Sequence, residues 1–588
     1  MSRLGDWLDE RTGHRALLRH VLDEPLPGGA RWSYVWGSAL TISLLTQAVT
    51  GWLLMSAYTP SATTAWSSVA YIHHTLSAGW ILRGLHHFGA QAMIVLLAAH
   101  LMQTALYGAY RKPRELNWYF GLGLLLVTLA FSLTGYLLPW DQKGYWATRV
   151  ATNIVGTIPL LGAPLQRVLV GGPEYGHLTL THFYTLHVGL LPAAVVLLLV
   201  AHIALFRRHG LTPPVSADLR KVDRFYPKQV WRDLVVSLFI LLLLFAVTAV
   251  EHGAPLDAPA DPASDYPARP EWYFLPLFEL LKYFKGALEP IGAVGIPLLV
   301  LGYLFALPFL DKGPDRSLKA RFKLLLPLAL FGLIAGALTV QSRRVDSADA
   351  SFQRARTLAS ERAARSIALF RRGVPPEGPL AMLHDDPETR GQELFVQHCA
   401  TCHRLGALGP SAEKATAPAL DGYGTKAWVL SLLDDPDADR YFGKTPFKGL
   451  MPSLVRPPAD PEASKLFKPM SPADQAAVAA FLEAQAQGES GKGSPGETLV
   501  RQRCTGCHRL DGKTDDEDSP APELRGWASE PWIAAQIENP GGGKAYPPSA
   551  MSPDLQGHMP AFGEKLSPKE RKMLGDWLRG RTRDTAAK

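Results

Sequence analysis

The sequence predicts an all-α fold in two parts, a seven-helix transmembrane bundle followed by two tandem soluble domains. Three observations carry that prediction. The long apolar runs of this 588-residue chain are confined to roughly the first 341 residues, although 47% of the whole is hydrophobic. Inside those runs His86 and His100 stand 14 residues apart, and His187 and His202 stand 15 apart. All four cysteines lie beyond the runs, in two copies of one five-residue motif.

Seven apolar segments, near residues 33–58, 80–106, 117–138, 178–205, 233–250, 291–310 and 322–341, are long enough to cross about 30 Å of hydrocarbon. Residues 1–32 are polar and charged rather than built around a short apolar core, so no cleavable signal is expected. Lysine and arginine set the orientation. The N-terminal stretch and the loops 107–116, 207–232 and 310–323 hold five, three, seven and five of them; the loops 57–79, 138–177 and 251–290 hold none, three and three. The positive-inside rule then puts the N-terminus in the cytoplasm. After seven crossings the C-terminal portion lies outside, in the periplasm if the membrane is a bacterial inner membrane. The formal +7 charge is therefore largely a topology signal. No basic, aromatic-interleaved domain supports nucleic-acid binding.

On a helix, 14 or 15 residues make about four turns, which keeps both imidazoles near one face and roughly 20 Å apart along the axis. Two such helices can clamp two haems, one near each membrane surface. A lone intramembrane histidine is equally well a packed or proton-carrying residue, but two matched pairs are harder to explain that way. Gly37 and Gly51 in the first segment, and Gly121 and Gly135 in the third, repeat at the same 14-residue interval. Bare backbone at those points lets a haem plane approach the helix. For either glycine pair alone, small-residue helix packing is the competing explanation.

The cysteines form Cys399-Ala400-Thr401-Cys402-His403 and Cys504-Thr505-Gly506-Cys507-His508. This spacing reads as c-type haem attachment, with two thioethers to the porphyrin and the histidine on the iron. A zinc or redox-disulfide reading suits one Cys-x-x-Cys, but not two copies each followed by histidine in a chain with no other cysteine. Both motifs sit in an internal repeat: Gly391, Leu394 and Cys399 recur as Gly496, Leu499 and Cys504, and Trp428 recurs as Trp532. Met451 and Met559, each followed by proline and lying 48 and 51 residues after the motif histidines, are the distal ligands expected, ahead of Met470 and Met551. A thioether ligand raises the potential of such a haem.

The plan that follows is a cytoplasmic segment 1–32, a four-helix haem-binding domain 33–210, a three-helix domain 211–341 and a linker helix 342–385. Soluble haem domains 386–485 and 497–588 complete it, joined by the Gly/Ser-rich stretch 486–496. Within the linker, residues 346–373 carry Arg, Ala and Leu at helical spacing, as an amphipathic helix resting on the membrane or on its own complex would.

The stretches Arg83-Gly84-Leu85-His86, Lys112-Pro113-Arg114-Glu115-Leu116, Gly135-Tyr136-Leu137-Leu138-Pro139-Trp140-Asp141-Gln142, Phe183-Tyr184-Thr185-Leu186-His187 and Pro270-Glu271-Trp272-Tyr273 resemble cytochrome b of the quinol-oxidising cytochrome bc and b/f complexes. The resemblance covers about residues 20–341. It is closer to the b/f form, with that form's two polypeptides fused, and the appended domains are similar to class I cytochromes c. It implies two bis-histidine b haems, His86 with His187 toward the periplasm and His100 with His202 toward the cytoplasm, with Arg83 as a propionate partner. Arg207, five residues past His202, reads either as a quinone or propionate contact or as a topology anchor. Two departures stand out. Where the b/f form attaches an extra haem through cysteine, this chain has Val35 beside Tyr34, so that haem is not expected; and His182 replaces a common arginine.

Quinol oxidation releases two protons, so its outer site needs a base beside the ring. The resemblance makes Glu271 that acceptor and Tyr273 a hydrogen-bonding neighbour, with Pro270 and Trp272 counted in the same catalytic tetrad; without it, the tetrad would read as a proline-started helix with a surface acid. The implied activity is that of a quinol:cytochrome c oxidoreductase core. One electron passes through a separate Rieske iron-sulfur protein to two covalent His/Met c haems, and the other crosses two b haems to an inner quinone site, with proton translocation. Implied partners are membrane quinol and quinone, a soluble or membrane cytochrome c or terminal oxidase, and a second copy of the chain. Alternatives are a linear quinol dehydrogenase without bifurcation and a non-catalytic haem-bearing sensor or anchor.

Overall fold

The computed structural model describes residues 3–264, 266–551 and 559–586. Its regular structure among the described residues is helical, apart from a two-stranded ribbon in which Pro25–Pro27 runs antiparallel to Val222–Arg224, with long irregular connections between helices. The chain divides into two compact units, Met1–Met382 and Leu383–Lys588.

In the first unit seven of the described helices are long and apolar enough to cross a membrane: α1 (Trp36–Met55), α2 (Gly79–Tyr107), α3 (Glu115–Leu137), α4 (His177–His209), α5 (Phe225–Val250), α6 (Gly286–Leu310) and α7 (Leu318–Ala348). Leu197, Val200, Phe239 and Leu242 stay more than half exposed on α4 and α5, as residues facing hydrocarbon should. Helix α1 packs on α2, α4 on α3, and α5 on both α1 and α2. At one end the fully buried Arg321 donates to the carbonyls of Ala105, at 2.7 Å, and Leu106, the last turn of α2. A cation there satisfies carbonyls the helix cannot pair internally. The Trp118 indole N–H donates to Leu304 O at 2.8 Å and ties α3 to α6.

Helix α4 is not a uniform helix. Leu186–Leu190 winds as a π turn, followed by Pro192, which has no N–H to continue the ladder. The wide turn absorbs one residue, so 15 residues on α4 span the same four turns that 14 span on α2.

The helix α8 (Ala350–Phe370) packs on the short helix Ala65–His74 of its own unit. Arg362 donates to Asp261 at 3.0 Å, the Phe370 ring meets Trp66 edge-on at 6.1 Å, and Arg269 holds Asp346 with bonds of 2.8–3.0 Å. The amphipathic segment thus covers protein of its own unit.

The second unit contains α9 (Pro387–His398), α10 (Lys426–Asp434), α11 (Pro472–Ala486), α12 (Pro495–Arg503), α13 (Glu530–Glu538) and α14 (Pro568–Ala586). Side chains of Asp386, Thr425, Ser471 and Ser494 accept backbone N–H groups at four of the helix starts, which is why the helices begin there. Both sequence repeats feed one core, built on Phe395, Val478, Phe481, Val500, Trp532 and Trp577.

Candidate functional site

Helices α2 and α4 bring the four intramembrane histidines together in two pairs. The rings of His86 and His187 lie 6.3 Å apart, centroid to centroid, and those of His100 and His202 lie 6.5 Å apart. Metal–imidazole bonds of about 2.0–2.1 Å on opposite sides of one ion place ring centroids a little over 6 Å apart. The residues therefore fit an iron between each pair, and the pairing is the one the resemblance implied.

Second partners fix three of the four rings. Thr50 Oγ1 lies 2.9 Å from His86 Nδ1, Thr134 Oγ1 lies 3.1 Å from His187 Nδ1, and Asn117 O lies 3.0 Å from His202 Nδ1. Holding Nδ1 turns Nε2 toward the iron position and fixes the tautomer. His100 Nδ1 is buried with no hydrogen-bond partner among the described residues. The four spaced glycines face these rings. A Cβ would come within 3.9 Å of His100 at Gly37, 3.0 Å of His86 at Gly51, 3.3 Å of His202 at Gly121 and 2.6 Å of His187 at Gly135. Sequence spacing assigned the bare backbone to a haem plane; its immediate neighbour is one of the paired imidazoles.

The two arginines serve the chain itself. Buried Arg83 donates to Ala254 O at 2.6 Å and Pro255 O at 2.5 Å and lies 3.1 Å from His73 Nδ1, fastening α2 to the loop after α5. Arg207 forms an ion pair with Glu24 and lies 5.8 Å from the Phe225 ring, which favours the anchoring reading.

The Pro270-Glu271-Trp272-Tyr273 tetrad sits in a pocket whose cation sequence reasoning missed. Lys143 Nζ donates to Glu271 Oε1 at 2.8 Å, and the carboxylate side chain is only 11% exposed. Trp272 Nε1 donates to Gln91 Oε1 at 3.3 Å, and Gln91 Nε2 lies 2.9 Å from His87 Nε2. Burial pushes the Tyr273 hydroxyl up to about 12, so it stays a neutral donor. Next to them Asp141, which caps the helix Gln142–Gly156 by accepting from Gly144 N at 2.8 Å, is pushed up to about 6, chiefly by burial. Its neighbour Asp257, which accepts from Tyr266 OH at 2.6 Å, is raised for the same reason. One carboxylate paired with a lysine beside two reluctant acids is a chemistry suited to receiving and passing protons.

In the second unit His403 Nδ1 lies 2.9 Å from Pro418 O and His508 Nδ1 lies 3.2 Å from Pro522 O, leaving each Nε2 for a metal. Burial lowers both imidazoles below the usual histidine range and keeps them neutral, as a ligand must be. Cys399 and Cys504 are tucked into the core while Cys402 and Cys507 are exposed. The buried Trp428 indole N–H has no acceptor among the described residues, which suits a donor kept for a bound anionic group. Met451 and Met559 both pack against the core; Gln536 Nε2 lies 3.8 Å from Met559 Sδ. Met470 is buried, in keeping with a packing role, and Met551 is 39% exposed.

Three family profiles match this chain: cytochrome b(N-terminal)/b6/petB over residues 91–259, cytochrome b(C-terminal)/b6/petD over 259–352, and cytochrome c over 388–486 and 494–582. The chain is 35% identical over 341 residues to the cytochrome bc complex cytochrome b subunit of Chlorobaculum thiosulfatiphilum, covering 56% of this chain and 76% of that one. It is 33% identical over 316 residues to cytochrome b of Rhodobacter capsulatus (51% and 70% covered) and 36% identical over 215 residues to cytochrome b6 of Oltmannsiellopsis viridis (37% and 100%). Among solved structures it is similar to a chain of a hyperthermophilic respiratory Complex III, with a TM-score of 0.52 and 27% identity over 61% of this chain and 95% of that one. The imidazole pairs, the acid cluster around Glu271, the Cys-x-x-Cys-His motifs and these matches agree: the chain belongs to the cytochrome b family of the cytochrome bc complexes, fused to two cytochrome c domains.

Proposed function

We propose that the chain is the redox core of a quinol:cytochrome c oxidoreductase in a bacterial inner membrane, with its N-terminus cytoplasmic and its cytochrome c unit periplasmic. The observation that carries this reading is the pair of imidazole clamps at two levels of one bundle, 6.3 and 6.5 Å between rings. His86 with His187 and His100 with His202 would hold two b haems, and the Cys399 and Cys504 motifs, with His403, His508 and the methionines Met451 and Met559, would hold two c haems. Bound haem would supply one-electron chemistry, and in this reading one quinol electron goes to an inner quinone and the other to a separate Rieske protein and the cytochrome c unit.

The chain's own residues handle the protons. Glu271 takes a proton from a quinol hydroxyl, and Lys143 holds its carboxylate in place until it does. Tyr273 donates a hydrogen bond to the ring oxygen, and Pro270 and Trp272 set the position of the acid. Asp141 and Asp257 accept protons on the way outward. Net release outside and uptake at the inner site make the enzyme a proton translocator. A homodimer with quinone sites in each copy completes the proposed complex.

The test is Glu271→Gln in membranes, with quinol as donor and cytochrome c as acceptor. The rate should fall by about 10²–10⁴-fold, the usual contribution of a positioned base, with the b and c absorbance unchanged. A parental rate would remove Glu271 from the chemistry.

A further inference from the structure

The two cytochrome c repeats are intertwined at their leading helices. In each repeat a helix leads into the haem-attachment motif, a middle helix follows, and a last helix closes the repeat. The middle helix stays with its own last helix, α10 with α11 and α13 with α14. The leading helices are exchanged: α9, which runs into Cys399, packs on α14, and α12, which runs into Cys504, packs on α11. The two crossings are equivalent. Gly391 would place a Cβ 2.3 Å from Trp577 Cβ, and its repeat mate Gly496 would place one 2.6 Å from Phe481 Cβ. Phe481 and Trp577 each lie ten residues past the serine of a Ser-Pro helix start, Ser471 and Ser567. The same helix crossing is thus made twice, each time by one of two different combinations of leading and last helices.

Polar contacts follow the exchange. Arg390 on α9 donates to Glu570 at 2.5 Å, and Lys569 pairs with Asp385 at 2.5 Å. Arg503, just before Cys504, donates to Lys468 O at 2.8 Å in the approach to α11. The methionine segments travel with the last helices. Phe562, three residues past Met559, stacks edge-on with His398, the residue before Cys399, at 5.6 Å, and its N–H donates to Ile537 O at 3.0 Å. The Met451 segment is tied to α10 and to the approach of α11 through Leu454 N to Leu433 O, at 3.1 Å, and Met470 N to Leu454 O, at 2.9 Å. Chain connectivity favours this arrangement. Few residues separate α11 from α12, and short connections make antiparallel neighbours.

We infer that the distal methionines are exchanged between repeats: Met559 ligates the iron held by Cys399, Cys402 and His403, and Met451 ligates the iron held by Cys504, Cys507 and His508. Each haem pocket is then completed by both repeats, and neither repeat alone makes a six-coordinate site. The inference rests on covalent haem at both motifs, which haem staining of the denatured chain checks separately.

The test uses full-length protein with one haem tagged. Cys402→Ala leaves a single thioether at the first motif, and the lost saturation of one vinyl link shifts that haem's reduced α-band to longer wavelength. Loss of a methionine ligand opens the iron to carbon monoxide. In the tagged protein, Met559→Ala should give carbon monoxide binding at the red-shifted haem, and Met451→Ala at the unshifted one. The opposite assignment would overturn the exchange. A second measurement needs no substitution: carbodiimide treatment of the parent chain and peptide mass spectrometry should find Asp385 joined to Lys569. Absence of that link, with other lysine–carboxylate links formed, would equally overturn it.

Discussion

A single methyl group at residue 135 tests the imidazole clamp. A Cβ there would lie 2.6 Å from His187 Cε1, 3.2 Å from Nδ1 and 3.3 Å from Nε2. Non-bonded carbons rest about 3.5–4.0 Å apart, so the ring must retreat by about 1 Å. It has little freedom to do so, because Thr134 holds Nδ1 at 3.1 Å and the Phe131 ring meets it edge-on at 5.4 Å. Ligand distances in metal sites tolerate about 0.2 Å, and overpacking a filled site costs about 1–3 kcal/mol. Gly135→Ala should therefore lose the haem shared by His86 and His187, and a pyridine haemochrome assay of purified protein should show the ratio of b to c haem halved. Gly37→Ala is the control: its Cβ would meet His100 at 3.9 Å, an ordinary contact, and the b content should stay full. Parental b content in Gly135→Ala, or equal loss in the control, would refute the geometry.

Thr134→Val removes the bond to His187 Nδ1 without adding bulk; the haem should remain but bind about 10–100-fold more weakly, read as faster loss to apo-myoglobin, and unchanged retention would count against the tautomer argument. Lys143→Met breaks a 2.8 Å charged hydrogen bond worth about 1.5–3 kcal/mol when partly buried, so quinol oxidation should slow by roughly tenfold or more while both b haem spectra stay parental. In the cytochrome c unit Glu497 is held down to about 2, first by the Gly493 N–H and then by Arg525 and Arg501. A carboxyl depressed in the fold contributes stability above its unfolded pKa and loses it as pH falls toward the folded value. The unit should weaken between about pH 4.5 and 2, and Glu497→Gln should flatten that dependence in thermal melts followed by far-UV circular dichroism.

The sequence made the seven spans, both histidine pairs and both attachment motifs legible, because each rests on a period or spacing imposed by helix geometry or by haem itself. The rest needed three dimensions. Lys143 and Glu271 meet across 128 residues of chain, and no local pattern links them. Thr50 and Thr134 each precede a spaced glycine, a signal that was present, but their bonds to imidazoles depend on how α1 faces α2 and α3 faces α4. The 15-residue interval on α4 reads as a slight mismatch until the π turn before Pro192 accounts for it. The repeat defined what a cytochrome c domain contains without saying which copy supplies each helix, since both leading helices carry the same glycine at the crossing.

In the proposed function quinol electrons divide between two paths. Membranes containing the complex, supplied with quinol and with the inner quinone site inhibited, should receive a pulse of ferricyanide while b and c absorbance are recorded together. The b haems should become more reduced as the c haems oxidise. Simultaneous oxidation of b and c would contradict it and assign the chain to a linear quinol dehydrogenase.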